Sequence, residues 1–190
     1  MRTIIFFVIL ALLSPAIIAA DTKIGVSPAY VMLDISDPDG STDDCSGFHG
    51  IGVTTIHDLN NKLRIMGVIN YYDFEVDPLG QNIGQGVSSY QVGAYLQRIV
   101  RVARSFNFYA GAGLAYTMAD FEKRHTTDAD GYLLTRYPDR SEGAFSAMAN
   151  LSKEWEISNK FEIGADISYQ YGIGDIFSGF KGALSLLYKF

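Results

Sequence analysis

The sequence predicts an all-β chain, an eight-stranded antiparallel up-and-down transmembrane β-barrel. Three observations carry that expectation. Apolar and polar residues alternate with a period of two in segment after segment, which places them on opposite faces of strands. The connections alternate between short and long, as they do when all tight turns lie at one end of a barrel. The apolar faces run aromatic, aliphatic, aromatic, the order that the two interfaces of a bilayer select.

The first segment, residues 23–33, contains Pro28, which removes a ladder donor and predicts a local distortion in a barrel with no edge. The second and third, residues 47–57 and Leu63–Val76, are rich in strand formers but mixed in their faces. In residues 88–100, Tyr90, Val92, Ala94 and Leu96 oppose Gln91, Gly93, Tyr95 and Gln97. The pattern is cleanest in residues 106–119, where Phe106, Phe108, Ala110, Ala112, Leu114, Tyr116 and Met118 share one face. Residues 145–155 alternate apolar positions with Ser146, Asn150, Ser152 and Glu154. In residues 161–171, Phe161, Ile163, Ala165, Ile167, Tyr169 and Tyr171 oppose Glu162, Gly164, Asp166, Ser168 and Gln170. Residues 180–190 close the series, with Phe180, Leu184, Leu186, Tyr188 and Phe190 on the apolar face. Short connections are expected at 58–61, 101–104 and 158–160; long polar ones at 34–46, 77–87, 120–142 and 172–179.

A soluble lipocalin-like barrel also alternates but turns its apolar face inward. Aromatic residues at both ends of an aliphatic band favour the outward assignment. The opposite face, with Gln91, Gln97, Glu154, Glu162, Asp166, Lys181 and Lys189, then fills an interior just wide enough for side chains. A polar plug of hydrogen bonds and ion pairs is the expectation, with no open pore.

Composition agrees. Hydrophobic residues make up 48% of the chain, yet mean hydropathy is only +0.09, so apolar residues are interleaved. A net charge of −6 argues against nucleic acid, whose phosphates demand a basic surface. Residues 1–20 read as a cleaved secretory signal, with Arg2, an apolar run over 4–13 and Ala19-Ala20 before Asp21; residues 21–190 form the barrel domain. The competing reading is an uncleaved anchor, for which the run is short. The single cysteine, Cys45, cannot form an internal disulfide.

With its strands placed, the chain resembles the small outer-membrane barrels of the OmpX/Ail/Lom type. The resemblance is strongest over 90–116, with Gly111-Ala112-Gly113-Leu114-Ala115-Tyr116, in Gly47-Phe48, and in the closing Leu187-Tyr188-Lys189-Phe190. It implies a non-enzymatic barrel in the cell outer membrane whose loops act at the surface. It also implies contacts with outer-membrane lipid and lipopolysaccharide, and recognition by the barrel-assembly machinery through Phe190. That terminal signal prefers glycine where Ser185 stands.

No catalytic, metal or cofactor site is expected. His49 and His57, counted on one face of the second strand, and His125 lack zinc-ligand spacing. His125 with Thr126 and Thr127 is the nearest approach to a lipid-hydrolase site and lacks its serine. The acids Asp34, Asp37, Asp39, Asp43 and Asp44, and Asp128, Asp130 and Asp139, read as solvated loops rather than a calcium loop. Lys123, Arg124, Arg136 and Arg140 form a basic set suited to lipopolysaccharide phosphates. A barrel that binds or passes small apolar molecules, or a lipid-directed enzyme, is the alternative function.

Overall fold

A computed structural model describes residues 22–37, 42–76, 85–103, 106–128, 130–173 and 177–190. The expected signal peptide lies outside them. Eight strands close one antiparallel barrel: β1 (Thr22–Ser36), β2 (Thr42–Asp58), β3 (Leu63–Val76), β4 (Gln85–Ala103), β5 (Phe106–Glu122), β8 (Arg140–Glu156), β9 (Phe161–Ile173) and β10 (Phe177–Lys189). The circuit ends where β10 pairs with β1. Two further short strands, β6 (His125–Thr127) and β7 (Leu133–Arg136), form a separate hairpin inside the β5–β8 connection. One end of the barrel therefore carries tight turns and both ends of the described chain; the other carries the loops.

The strands outrun the alternating segments that announced them. The connection expected at 120–142 is partly strand, since β5 continues to Glu122 and β8 starts at Arg140. Within the connection expected at 172–179, β9 continues to Ile173 and β10 starts at Phe177. Loss of apolar alternation marks where a strand leaves the bilayer, not where its ladder of hydrogen bonds stops. The tight turns are held by side chains that replace missing backbone partners. Asn60 Oδ1 accepts from the amides of Lys62 (2.9 Å) and Leu63 (3.0 Å), and Ser158 Oγ accepts from that of Phe161 (3.2 Å).

The expected distortion beside Pro28 is present. The register of β1 against β2 shifts between Ala29 and Tyr30, so that Ala29 faces Gly50 but Tyr30 faces Phe48, leaving His49 as a bulge. Gly47, two residues earlier, adopts a φ of 151° that a side chain would strain. The bulge reverses the parity of β2. His49 packs against the inward Phe74, while His57 shares a hydrogen bond with Thr22 at the other end of the strand. The two histidines therefore do not share a face, because the period-two count breaks at the bulge.

The outer surface is apolar. Leu114 (63%), Ile167 (62%) and Leu184 (64%) are exposed to a degree no soluble core would allow. Aromatic pairs ring the band. Near the loops these are Tyr30–Phe48, Tyr71–Tyr90, Tyr116–Phe145 and Tyr169–Phe180; near the turns, Phe161–Tyr188 and Tyr188–Phe190. On β9 the belts stand ten residues apart, Phe161 to Tyr171, or about 25 Å once a typical strand tilt is allowed for. That is the height of an outer-membrane apolar band, about 25 Å.

Candidate functional site

The lumen divides into layers, and each layer has its own chemistry. At the turn end it is ionic. Arg64, fully buried on β3, donates from Nε to Gln97 Oε1, from Nη1 to Glu154 and from Nη2 to Ser152 Oγ (2.9 Å). Its guanidinium lies 3.4 Å from the centre of the Tyr109 ring. Lys23 bridges Glu154 (2.6 Å) and Glu162 (2.7 Å), and Lys189 joins Glu162 to Glu156 (3.3 Å each). Six strands thus meet in one network of alternating sign, the arrangement that makes burial of charge tolerable.

Halfway up, Gln91 satisfies both ends of its amide. Its Oε1 accepts from Asn70 Nδ2 (3.0 Å) and Tyr72 OH (3.2 Å); its Nε2 donates to Thr117 Oγ1 (3.1 Å) and Gln170 Oε1 (2.8 Å). This knot ties β3, β4, β5 and β9 across the barrel. The space between Arg64, Met66, Asp166 and Leu187 amounts to about 10 Å³, room for at most one water.

The loop end departs from the expected polar plug. Val31, Leu33, Ile35, Phe74, Val76, Val87, Phe121 and Phe177 all point inward and are 3% exposed or less. Tyr72, Phe74 and Phe177 pack ring against ring. The plug is therefore polar in its turn-side half and apolar in its loop-side half. Above the bilayer no lipid competes for apolar side chains, so burial inside is their route out of water.

A latch built from two loop connections and the first residue of β4 covers this apolar layer. Arg124, which follows β5, donates to both carboxylate oxygens of Asp37, which follows β1 (Nη2–Oδ1 2.8 Å, Nε–Oδ2 3.0 Å). Its Nη1 donates to the Pro138 carbonyl (2.8 Å), and Gln85, which opens β4, donates to Asp37 Oδ2 (2.8 Å). Both side chains of the ion pair are wholly buried. Arg124 is thus removed from the expected phosphate-binding set, because its guanidinium is spent inside the loop cap. Arg140 pairs with Glu142. Lys123 and Arg136 remain exposed.

Above the latch stands the β6–β7 hairpin. Asp128 Oδ1 accepts from the amides of Asp130 (3.0 Å) and Tyr132 (2.8 Å), so it shapes the turn. The tip exposes Tyr132 (73%), Leu133 (62%) and Leu134 (62%) side by side. His125 Nδ1 donates to the Lys123 carbonyl. Asp39 lies outside the described residues; among those described, no three His, Cys, Asp or Glu are grouped to hold a metal. Burial, then a hydrogen bond and the negative charge of Asp44, hold the Asp34 carboxyl above the usual carboxylate range. Neither the latch nor the exposed tip was visible in the sequence. Asp37 and Arg124 lie 87 residues apart, and Leu133-Leu134 is too short an apolar run to mark a surface.

No family model and no curated protein matches the sequence. Solved structures do match the fold. Neisserial surface protein A superposes with a TM-score of 0.57 at 14% identity, covering 90% of this chain and 97% of its own. OprG, an outer membrane protein of Pseudomonas aeruginosa, gives 0.57 at 15%, covering 90% and 96%. Ail, the attachment invasion locus protein of Yersinia pestis, gives 0.51 at 16%, covering 90% and 99%. At such identities the likeness speaks for the fold: this chain folds as the small eight-stranded outer-membrane barrels do.

Proposed function

We propose that this small outer-membrane barrel is a sealed, non-catalytic scaffold whose work is done by its loop face at the cell surface. The carrying observation is the layered lumen. Among the described residues, an ionic network, a glutamine knot and an apolar layer under a buried Arg124–Asp37 latch fill the lumen from turn end to loop end. The latch fastens the loop connections to one another, and the fastened loops present the Tyr132-Leu133-Leu134 tip as a fixed apolar surface. The names of two fold relatives, surface protein A and the attachment invasion locus protein, support a role in surface contact. Export by the segment 1–20 and assembly through Phe190 belong to the same reading, as does contact of Lys123 and Arg136 with lipopolysaccharide phosphates.

The apolar half of the lumen raises the second reading, a barrel that binds small apolar molecules. Its side chains are packed against one another, which favours a seal over a binding cavity. Two measurements test the proposal. Liposomes carrying the protein should swell no faster in small sugars than empty ones. Cells displaying the protein should lose contact with their surface partners when residues 126–135 are replaced by a short glycine-serine turn, while the barrel still shifts on boiling. Rapid swelling, or surface contact indifferent to the hairpin, would overturn it.

A further inference from the structure

The wall of the barrel is not closed to its lower edge. β5 and β8 pair from Phe121–Arg140 down to Tyr109–Ser152 and then part. Below that point, residues 106–108 pair with β4 alone and residues 153–156 with β9 alone. The two strand ends form a fork on the turn side of the membrane. Lys153 bridges it. Its Nζ donates to the Asn107 carbonyl (2.7 Å) and sits 4.7 Å from the Phe106 ring centre and 5.8 Å from that of Trp155. Two strands away, Arg98 lies opposite Ala110 on the same outward face as Leu96.

Charge and depth point to one kind of occupant. Three of the lumen cations, Lys23, Arg64 and Lys189, each have a carboxylate partner. Among the described residues, Lys153 and Arg98 have none. Backbone groups released from the ladder cannot face hydrocarbon, so the fork stands at headgroup depth, where Phe106, Trp155 and Phe161 form the aromatic belt. A lysine with apolar stem and rings on either side extends its ammonium toward phosphate at that depth. From the fork toward mid-membrane, Ala110, Ala112 and Ala149 line a shallow strip of the outer wall, since Ala112 pairs with Ala149 and Ala110 neighbours Leu151. Such a strip accommodates an acyl chain.

We propose that the β5–β8 fork seats the phosphate of an anionic phospholipid from the leaflet on the turn side, with Lys153 at its centre and Arg98 beside it. Asn107 engages two ammonium protons of Lys153, through its carbonyl (2.7 Å) and its Oδ1 (3.4 Å), leaving one for a phosphate oxygen. The proposal rests on the reading of the chain as a membrane barrel.

The experiment uses the purified, heat-modifiable protein in mild detergent with equal amounts of phosphatidylglycerol and phosphatidylcholine, and counts retained lipids by native mass spectrometry. The wild type should retain phosphatidylglycerol in preference. Lys153→Gln should lower that retention roughly fivefold, the expected effect of one interfacial cation, and adding Arg98→Gln should lower it again. Lys153→Arg should preserve it, and so should Lys160→Gln, which changes an exposed turn lysine away from the fork. Equal retention of the two lipids, or unchanged retention in Lys153→Gln, overturns the fork proposal while the boiling shift keeps the membrane reading intact. A protein recovered unshifted and without lipid overturns both.

Discussion

The two ends of the lumen are sealed by opposite means. At the turn end, ion pairs are supplied by strands: Lys23 on β1, Arg64 on β3, Glu154 on β8, Glu162 on β9 and Lys189 on β10. Their positions are fixed by the ladder itself, so the network cannot loosen without loss of register. At the loop end, the strands supply apolar side chains and the Gln85 amide, and the buried ion pair there, Arg124–Asp37, is supplied by connections. Opening that pair frees loops and leaves the layer beneath it closed. Stability of the barrel and mobility of its surface are thus assigned to different residues.

The sharpest way to break this contrast is Arg64→Ala. It strands Glu154 in the lumen with Lys23 alone and should cost about 3–5 kcal/mol, read as a lower urea midpoint for loss of the unboiled, fast-migrating form. A normal midpoint would mean the turn-end network is not structural. Phe121→Ala, in the apolar layer, should cost a similar or slightly smaller amount, about 3–4 kcal/mol, as the cavity it leaves stays unfilled. Arg124→Ala should act locally. Protease cleavage within residues 125–136 should rise several-fold, while the global unfolding free energy falls by no more than about 1 kcal/mol, because Asp37 can turn to water once the loops part. A global loss as large as that of Arg64→Ala would erase the distinction between the two ends.

The smallest effect is a pH dependence at the loop end. Asp34 holds its proton more tightly in the folded chain than in the unfolded one, through burial first and Asp44 second. Its contribution is therefore fully present below the ordinary carboxylate range and lost as pH rises through the raised value. Solvent screening limits it to about 0.5 kcal/mol or less. Exchange of the amides near Asp34 and Asp44 should quicken slightly, beyond its intrinsic pH dependence, over that interval, and Asp34→Asn should remove the excess.

How far the sequence could be read depended on whether a residue's surroundings follow from its own neighbours. Along 88–100, 106–119 and 161–171 the two faces are chemically distinct, so the lipid-facing and lumen-facing sets were legible, Gln91 and Gln97 among the latter. Along 63–76, Tyr72, Phe74 and Val76 alternate with Asp73 and Glu75 near the loop end, but the alternation does not say where the strand leaves the bilayer and its apolar face turns inward. Phe74 and Val76 therefore carried no sign that they point inward, and the expected plug was too polar. The histidine pair was misplaced because one bulge, at His49, inverts the parity that a count of residues assumes.

By itself, the chain's period-two alternation determined the strands, the order of the turns, the direction of the barrel wall and the aromatic belts, since all of these are local consequences of backbone geometry and of lipid on one side. Only the closed tertiary structure decided what fills the lumen and what covers it. Arg64 meets Glu154 90 residues away and Arg124 meets Asp37 87 residues away because closure brings distant strands to within one side chain's reach across the barrel. Such pairings depend on register and curvature, which no stretch of sequence carries alone.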